Sequence, residues 1–339
     1  MLKIGVIGCG AIGRDHIRRL HDLVPGAEVV GCADYFQEAA DKVAAQYGIR
    51  AYASGEELIA SPDVQAILIA SSDPSHAGYV LEGLKYGKYV FCEKPLAQNA
   101  ADCEKIIAAE CAHGKRLVQV GFMRRYDRGY AEMKRIIDSG ELGAPLMIHA
   151  CHRNVSQPDG FQTEMGVSNV AIHELDICRW LLGDEYKSGQ VLKVRQSAES
   201  TKGYDNPQIV LLETQSGCRI DVEVQVADAY GYDIQCQVVC EKGTVNLPDP
   251  YAVVKRANAS RSYPLLTDWK DRFIEAYDIE LTQWVQAVEA GQLTGPSAWD
   301  GYVACVAADA LNRSRGTGVF YPIETIEKPA LYGKAGKKR

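Results

Sequence analysis

Long apolar runs are missing from this chain. No uninterrupted hydrophobic stretch approaches the ~20 residues of a membrane span, so none is expected. The N-terminus reads at once as a strand, and no signal peptide is expected there. An excess of positive charge is missing as well. Lys and Arg total 37 against 44 Asp and Glu, a formal net charge of −7. That sign argues against non-specific nucleic-acid binding, which depends on cations neutralising phosphates. The eleven cysteines include no C-x-x-C and are odd in number. Several, such as Cys9, Cys32 and Cys92, sit in apolar runs, where a thiol behaves as a small hydrophobe. A reducing cytoplasm suits this pattern better than a disulfide framework. Cys236 and Cys240 are expected on one strand face, with no histidine in that run to complete a zinc site, so no metal is expected. The basic tail from Lys334 to Arg339 reads as a solvated end.

What the chain does have is a glycine fingerprint. The apolar run Lys3–Ile7 leads into Gly8-Cys9-Gly10-Ala11-Ile12-Gly13, a G-x-G-x-x-G, and Asp34 follows a second apolar run, Val29–Ala33. Gly8 permits a tight turn, Gly10 lets backbone approach a pyrophosphate, and Gly13 lets the next helix pack close to the sheet. The phosphates would rest on the helix N-terminus. An acid at this distance accepts hydrogen bonds from the adenosine ribose and repels a 2′-phosphate. No Lys or Arg follows Asp34 closely, so NAD is favoured over NADP.

Through residue 122 apolar strands alternate with amphipathic helices. Strands are expected at 3–7, 28–33, 66–70, 88–92 and 117–121, with a short one near 50–52, and helices at 13–23, 37–47, 76–86 and 100–113. This predicts an α/β, doubly wound parallel sheet. Beyond it, over 123–339, helices near 130–139 and 170–182 and alternating runs at 145–152, 208–214, 218–227, 232–240 and 243–246 predict an α+β domain. Its sheet should be open, mixed or antiparallel. Two closing helices are expected near 273–290 and 299–314.

Two segments carry chemistry. Glu93-Lys94-Pro95 ends a strand, and strand C-termini in a doubly wound sheet face the ligand crevice. Lys94 is therefore placed to hydrogen-bond a substrate hydroxyl and steady an alkoxide. In Asn169–Asp176, helical spacing puts Asn169, His173 and Asp176 on one face. Histidine is the side chain suited to take a proton near neutral pH. The same pattern also suits a partly buried helix capping an interface.

The fingerprint, Asp34, Pro74 with His76, Glu93-Lys94-Pro95 and the Asn169–Asp176 segment together resemble the glucose–fructose oxidoreductase/inositol dehydrogenase family. The stretches 117–127, 147–154, 230–236 and 295–302 are similar to its inositol dehydrogenase branch, and the resemblance runs from residue 2 to about 332. It implies NAD-dependent oxidation of a ring hydroxyl of myo-inositol to the ketone. Lys94 and His173 match the catalytic lysine and proton acceptor. Gly8, Gly10, Ala11, Ile12, Gly13, Asp34, Ser71, His76, Glu93 and Lys94 match cofactor contacts. Met123, Arg124, Asn154, Asp176 and Tyr232 match groups that hold a polyol, with Tyr230 a rival for Tyr232 on the same expected strand face. Family members assemble through the open sheet, most often as homotetramers.

One position departs from the pattern: Asn169 stands where the family has aspartate, four residues before the histidine. That departure leaves two alternatives, the same chemistry on scyllo-inositol or a sugar ring, and an inactive NAD- or sugar-binding protein.

Overall fold

The computed structural model describes residues 1–157, 160–198, 204–249 and 253–333. The tail from Lys334 to Arg339 lies outside them. Two compact units emerge: Met1–Phe122 with Tyr277–Cys305 and the segment from Thr325, and Met123–Ala276 with Val306–Glu324. The segments 277–305 and 325 onward, expected in the second domain, thus belong with the first unit.

The first unit is a six-stranded parallel sheet in the order β3-β2-β1-β4-β5-β6. Its strands are β1 (Leu2–Ile7), β2 (Ala27–Ala33), β3 (Arg50–Ala51), β4 (Ala66–Ile69), β5 (Tyr89–Glu93) and β6 (Val118–Gly121). Helices α1 (Ala11–Asp22), α2 (Gln37–Tyr47), α3 (Gly55–Ala60), α4 (His76–Lys85) and α5 (Ala100–His113) connect them. The strand order reverses between β1 and β4, the position at which open α/β sheets bind ligands. Side-chain caps start two helices: Ser54 accepts from the Glu57 N–H and Asn99 from the Asp102 N–H.

In the second unit, α6 (Arg128–Ser139) starts on the Asp127 carboxylate, which accepts from the Gly129 and Tyr130 N–H groups. The sheet strands are β7 (Pro145–Arg153), β8 (Tyr186–Lys193), β9 (Gln208–Thr214), β10 (Arg219–Gln225), β11 (Asp233–Cys240) and β12 (Gly243–Asn246), with α7 (Ile172–Leu182) between β7 and β8. A short hairpin, β13 (Lys255–Ala257) and β14 (Ser260–Ser262), precedes α8 (Trp269–Arg272). The chain closes with α9 (Ile274–Glu289), α10 (Ala298–Ser314) and β15 (Tyr321–Pro322). The seven-stranded sheet has the order β12-β11-β7-β10-β9-β8-β15, with β7 and β10 parallel and the other pairs antiparallel.

Period-two alternation decides its faces. Ile220, Val222 and Val224 are buried on β10, as are Ile234, Cys236, Val238 and Cys240 on β11, while the intervening residues are accessible and, Val239 apart, polar. In the first unit, Leu281, Trp284, Val285 and Val288 of α9 join the core formed by Ile4, Val6, Leu68 and Phe91. The Trp284 and Phe91 rings meet edge-on at 5.5 Å. Among the described residues no helix is long and apolar enough to cross a membrane.

Candidate active site

The dinucleotide cradle is built from close backbone approach. Gly8 has φ +104°, and a Cβ there would strike the Ala70 carbonyl just past the end of the neighbouring β4. A Cβ on Gly13 would collide with the Gly8 carbonyl, so α1 lies against the loop as only glycine allows. Gly10 differs: nothing lies within 4 Å of its missing Cβ, and it heads α1 with no side-chain cap and no acid in the first turn. Open space above an uncapped helix start fits a pyrophosphate. The Asp34 carboxylate accepts from the Cys9 N–H at 2.6 Å and from the Phe36 N–H at 2.9 Å. It is thereby fixed beside the glycine loop, in position for a ribose diol, and these residues fit NAD.

Near the ends of β4 and β5, two residues expected to contact the cofactor have close protein partners. His76 is 1 % exposed, with Nδ1 2.7 Å from the Pro95 carbonyl and Nε2 3.2 Å from the Ser71 carbonyl. It braces two loops from inside. Glu93 is likewise turned inward, Oε1 lying 2.7 Å from His16 Nε2 and Oε2 3.2 Å from the Lys94 N–H. Ser71 and Lys94 are partly exposed, and the Ser71 hydroxyl shares a 2.6 Å hydrogen bond with Ser75.

In the second unit His173 and Asp176 lie on α7, whereas Asn169 sits in a widened, π-type turn, Gly166–Val170, just before it. Expected 3.6-residue spacing therefore does not carry through from Asn169 to His173. The Asp176 carboxylate, expected to hold substrate, is clasped by the Arg125 guanidinium, with Nε 2.9 Å from Oδ2. Met123 is buried at the start of the turn that also holds Arg124. Arg124 is itself buried and bonded to Glu174, with Nη2 3.1 Å from His152 Nδ1, and its guanidinium lies over the Phe273 ring at 5.6 Å. The second Glu174 oxygen is 2.9 Å from the same His152 nitrogen. Arginine only donates and an ionised carboxylate only accepts, so Nδ1 serves one of them at a time: Arg124 when it is bare, Glu174 when it carries the proton.

Burial pushes the Glu174 carboxyl up, but the Arg124 charge, followed by His152, outweighs it and holds the group at about 2. The His152 ring is 6.2 Å from that of His173 and 6.0 Å from that of Tyr232. Burial raises the Tyr232 phenol to about 12. Tyr230 does not share its face: Gly231, at φ +154°, interrupts the alternation before β11 begins, leaving Tyr230 48 % exposed and Tyr232 buried. Asn154 is half-buried beyond the end of β7, its N–H donating to the Gln225 carbonyl at 2.8 Å.

His16, His152 and Glu174 are buried polar residues beside these groups that the sequence does not mark out. The signal for Glu174 was its place beside His173 on α7. His152 lies in the 147–154 stretch, on β7.

The model described as "Oxidoreductase family, NAD-binding Rossmann fold" matches residues 2–122, and the GFO/IDH/MocA C-terminal domain matches residues 130–246. The chain is 53% identical over 333 residues to an inositol 2-dehydrogenase of Burkholderia cenocepacia (strain HI2424), covering 98% of this chain and 99% of that protein. It is 54% identical, with the same coverage, to an inositol 2-dehydrogenase of Ralstonia nicotianae. The crystal structure of myo-inositol dehydrogenase from Lactobacillus casei, in complex with NAD(H) and myo-inositol, superposes with a TM-score of 0.95 at 38% identity. That match covers 98% of this chain and all of the other. With an NAD-type glycine cradle in one unit and a full-length match across both, this chain belongs to the Gfo/Idh/MocA family of NAD-binding oxidoreductases.

Proposed function

We propose that the protein is an NAD-dependent inositol 2-dehydrogenase, oxidising one ring hydroxyl of myo-inositol to the ketone. The observation that carries this reading is the 53% identity, over 98% of the chain, to proteins of that name. NAD bound on the Gly8–Gly13 loop supplies the hydride acceptor. Gly8, Gly10, Ala11, Ile12 and Gly13 cradle its phosphates, Asp34 holds the ribose diol, and Ser71 lies at the neighbouring strand end. His173 takes the hydroxyl proton, Lys94 steadies the developing alkoxide, and Asn169 orients the substrate. Asn154 and Tyr232 contribute polar contacts to the polyol, with Arg124 and Asp176 held in shape by their own ion pairs. The test is NADH formation with purified protein, NAD and myo-inositol. No NADH at high enzyme concentration, while another polyol reacts, overturns the substrate assignment.

Asn169 favours a second reading, with the same chemistry directed at scyllo-inositol or a sugar ring. An amide keeps the shape of aspartate but not the charge that would favour a protonated His173. Comparing kcat/KM across inositol isomers and sugars separates the two.

The assembly is a homotetramer formed through the open sheet. Its accessible face is a lattice of cross-strand charges: Lys187 and Arg219 on Glu213, His149 on Asp221, and Arg153 on Glu223 and Asp233. The protein works in the cytoplasm, a reading supported by eleven free cysteines, ten of them buried.

A further inference from the structure

The Glu93-Lys94-Pro95 segment is braced from a direction that the reaction chemistry does not explain. His16 lies on α1, three residues after Gly13, so both occupy the helix face turned toward the sheet. It is fully buried, its ring edge-on to Phe91 at 5.9 Å and to Tyr277 at 5.6 Å. Its Nε2 lies 2.7 Å from Glu93 Oε1, while Nδ1 has no partner among the described residues. Burying an imidazole with one nitrogen unsatisfied is unfavourable, so packing alone does not account for a histidine here. The carboxylate it holds continues the chain of contacts, since Glu93 Oε2 accepts from the Lys94 N–H at 3.2 Å. Beside it on β6, a Cβ on Gly121 would come within 3.1 Å of the Glu93 carboxylate carbon and Oε2. The glycine thus leaves the carboxylate its space.

We propose that His16 and Glu93 are positioning residues: they tie the helix that carries the dinucleotide phosphates to the strand end that carries Lys94. One rigid helix would then set both the cofactor and the lysine. With the carboxylate as acceptor, His16 donates from Nε2, Glu93 is held in one rotamer, and the Lys94 amide is fixed by the second oxygen. Neither residue touches substrate; each acts through Lys94. This rests on the hydride-transfer reading above, so one measurement must be independent of turnover.

The experiment compares wild type with His16→Leu, His16→Gln and Glu93→Gln. Glutamine can present an amide N–H near the position of Nε2, whereas leucine cannot. In the cofactor-free protein, hydrogen exchange is read at the Lys94 amide, which Pro95 isolates by having no N–H. His16→Leu is expected to speed that exchange by about tenfold or more. It should also lower kcat with myo-inositol by at least about tenfold while NADH affinity, read by fluorescence, stays within about threefold. His16→Gln should recover both quantities. Glu93→Gln, which leaves the ring in place, should reproduce the leucine result and serves as the test if His16→Leu fails to fold. The proposal is overturned if the Lys94 amide and kcat are unchanged, if glutamine and leucine fall alike, or if NADH affinity falls in step with kcat. Wild type inactive on every polyol would overturn the dehydrogenase reading instead, with amide exchange still deciding the brace.

Discussion

Replacing Glu174 by glutamine should cost the second unit much of its stability, and in a pH-dependent way. The carboxylate is buried between Arg124, which is also buried, and His152. Its fall from an ordinary 4.5 to about 2 corresponds to about 3 kcal/mol of native-state stabilisation. Removing one partner of a buried pair costs about 3–5 kcal/mol, because the other charge is left uncompensated. Both routes give a similar figure. Because the folded-state pKa lies below the unfolded one, the stabilisation is fully present above about pH 4.5. It drains away as pH falls toward about 2. Urea unfolding of wild type and Glu174→Gln at pH 7 should therefore differ by about 3 kcal/mol. The gap should shrink steadily on acidification below about pH 4.5. A gap under about 1 kcal/mol at pH 7, or one independent of pH, would refute the reasoning.

Three further predictions concern function and assembly. Asp34→Ala loses charge-assisted hydrogen bonds to the ribose and to the Cys9 N–H, so kcat/KM for NAD should fall about tenfold or more. The NAD-over-NADP ratio should narrow, and a wild type equally active with both cofactors would contradict the role given to Asp34. Asn169→Asp should raise kcat on myo-inositol by restoring a carboxylate four residues before His173. If neither form turns over any polyol while NADH still binds, a binding protein replaces the enzyme. Arg153→Glu sets an acid against Glu223 and Asp233 in the open-sheet lattice and should lower the sedimenting mass below four chains at physiological salt. An unchanged tetramer would move the interface elsewhere.

Segments closed by clear stop signals are the most legible. The helices at 37–47 and 100–113 and the strands at 208–214 and 243–246 match their expected limits, and both helices stop at a left-handed glycine, Gly48 and Gly114. Strand β8 was missed: Lys187, Ser188 and Gly189 dilute its β-pattern, yet Gly189 is required by the approach of Leu311 and Leu212. The glycine cradle was readable because its chemistry is local. The brace under Lys94 was not, since His16 and Glu93 are 77 residues apart in sequence. The clasp of Asp176 by Arg125, 51 residues away, was invisible for the same reason. The Tyr230–Tyr232 pairing failed on one residue, Gly231, whose backbone breaks the alternation that sequence reading assumes.

The central claim is hydride transfer from the ring of myo-inositol to NAD, and isotope transfer tests it most directly. Purified protein is given NAD and myo-inositol carrying deuterium at the oxidised carbon, and the reduced cofactor and the ketone are examined by NMR and mass spectrometry. The account predicts one deuterium on nicotinamide C4 and an inosose lacking it. Reduced cofactor without deuterium, or formed only from another labelled polyol, would contradict it.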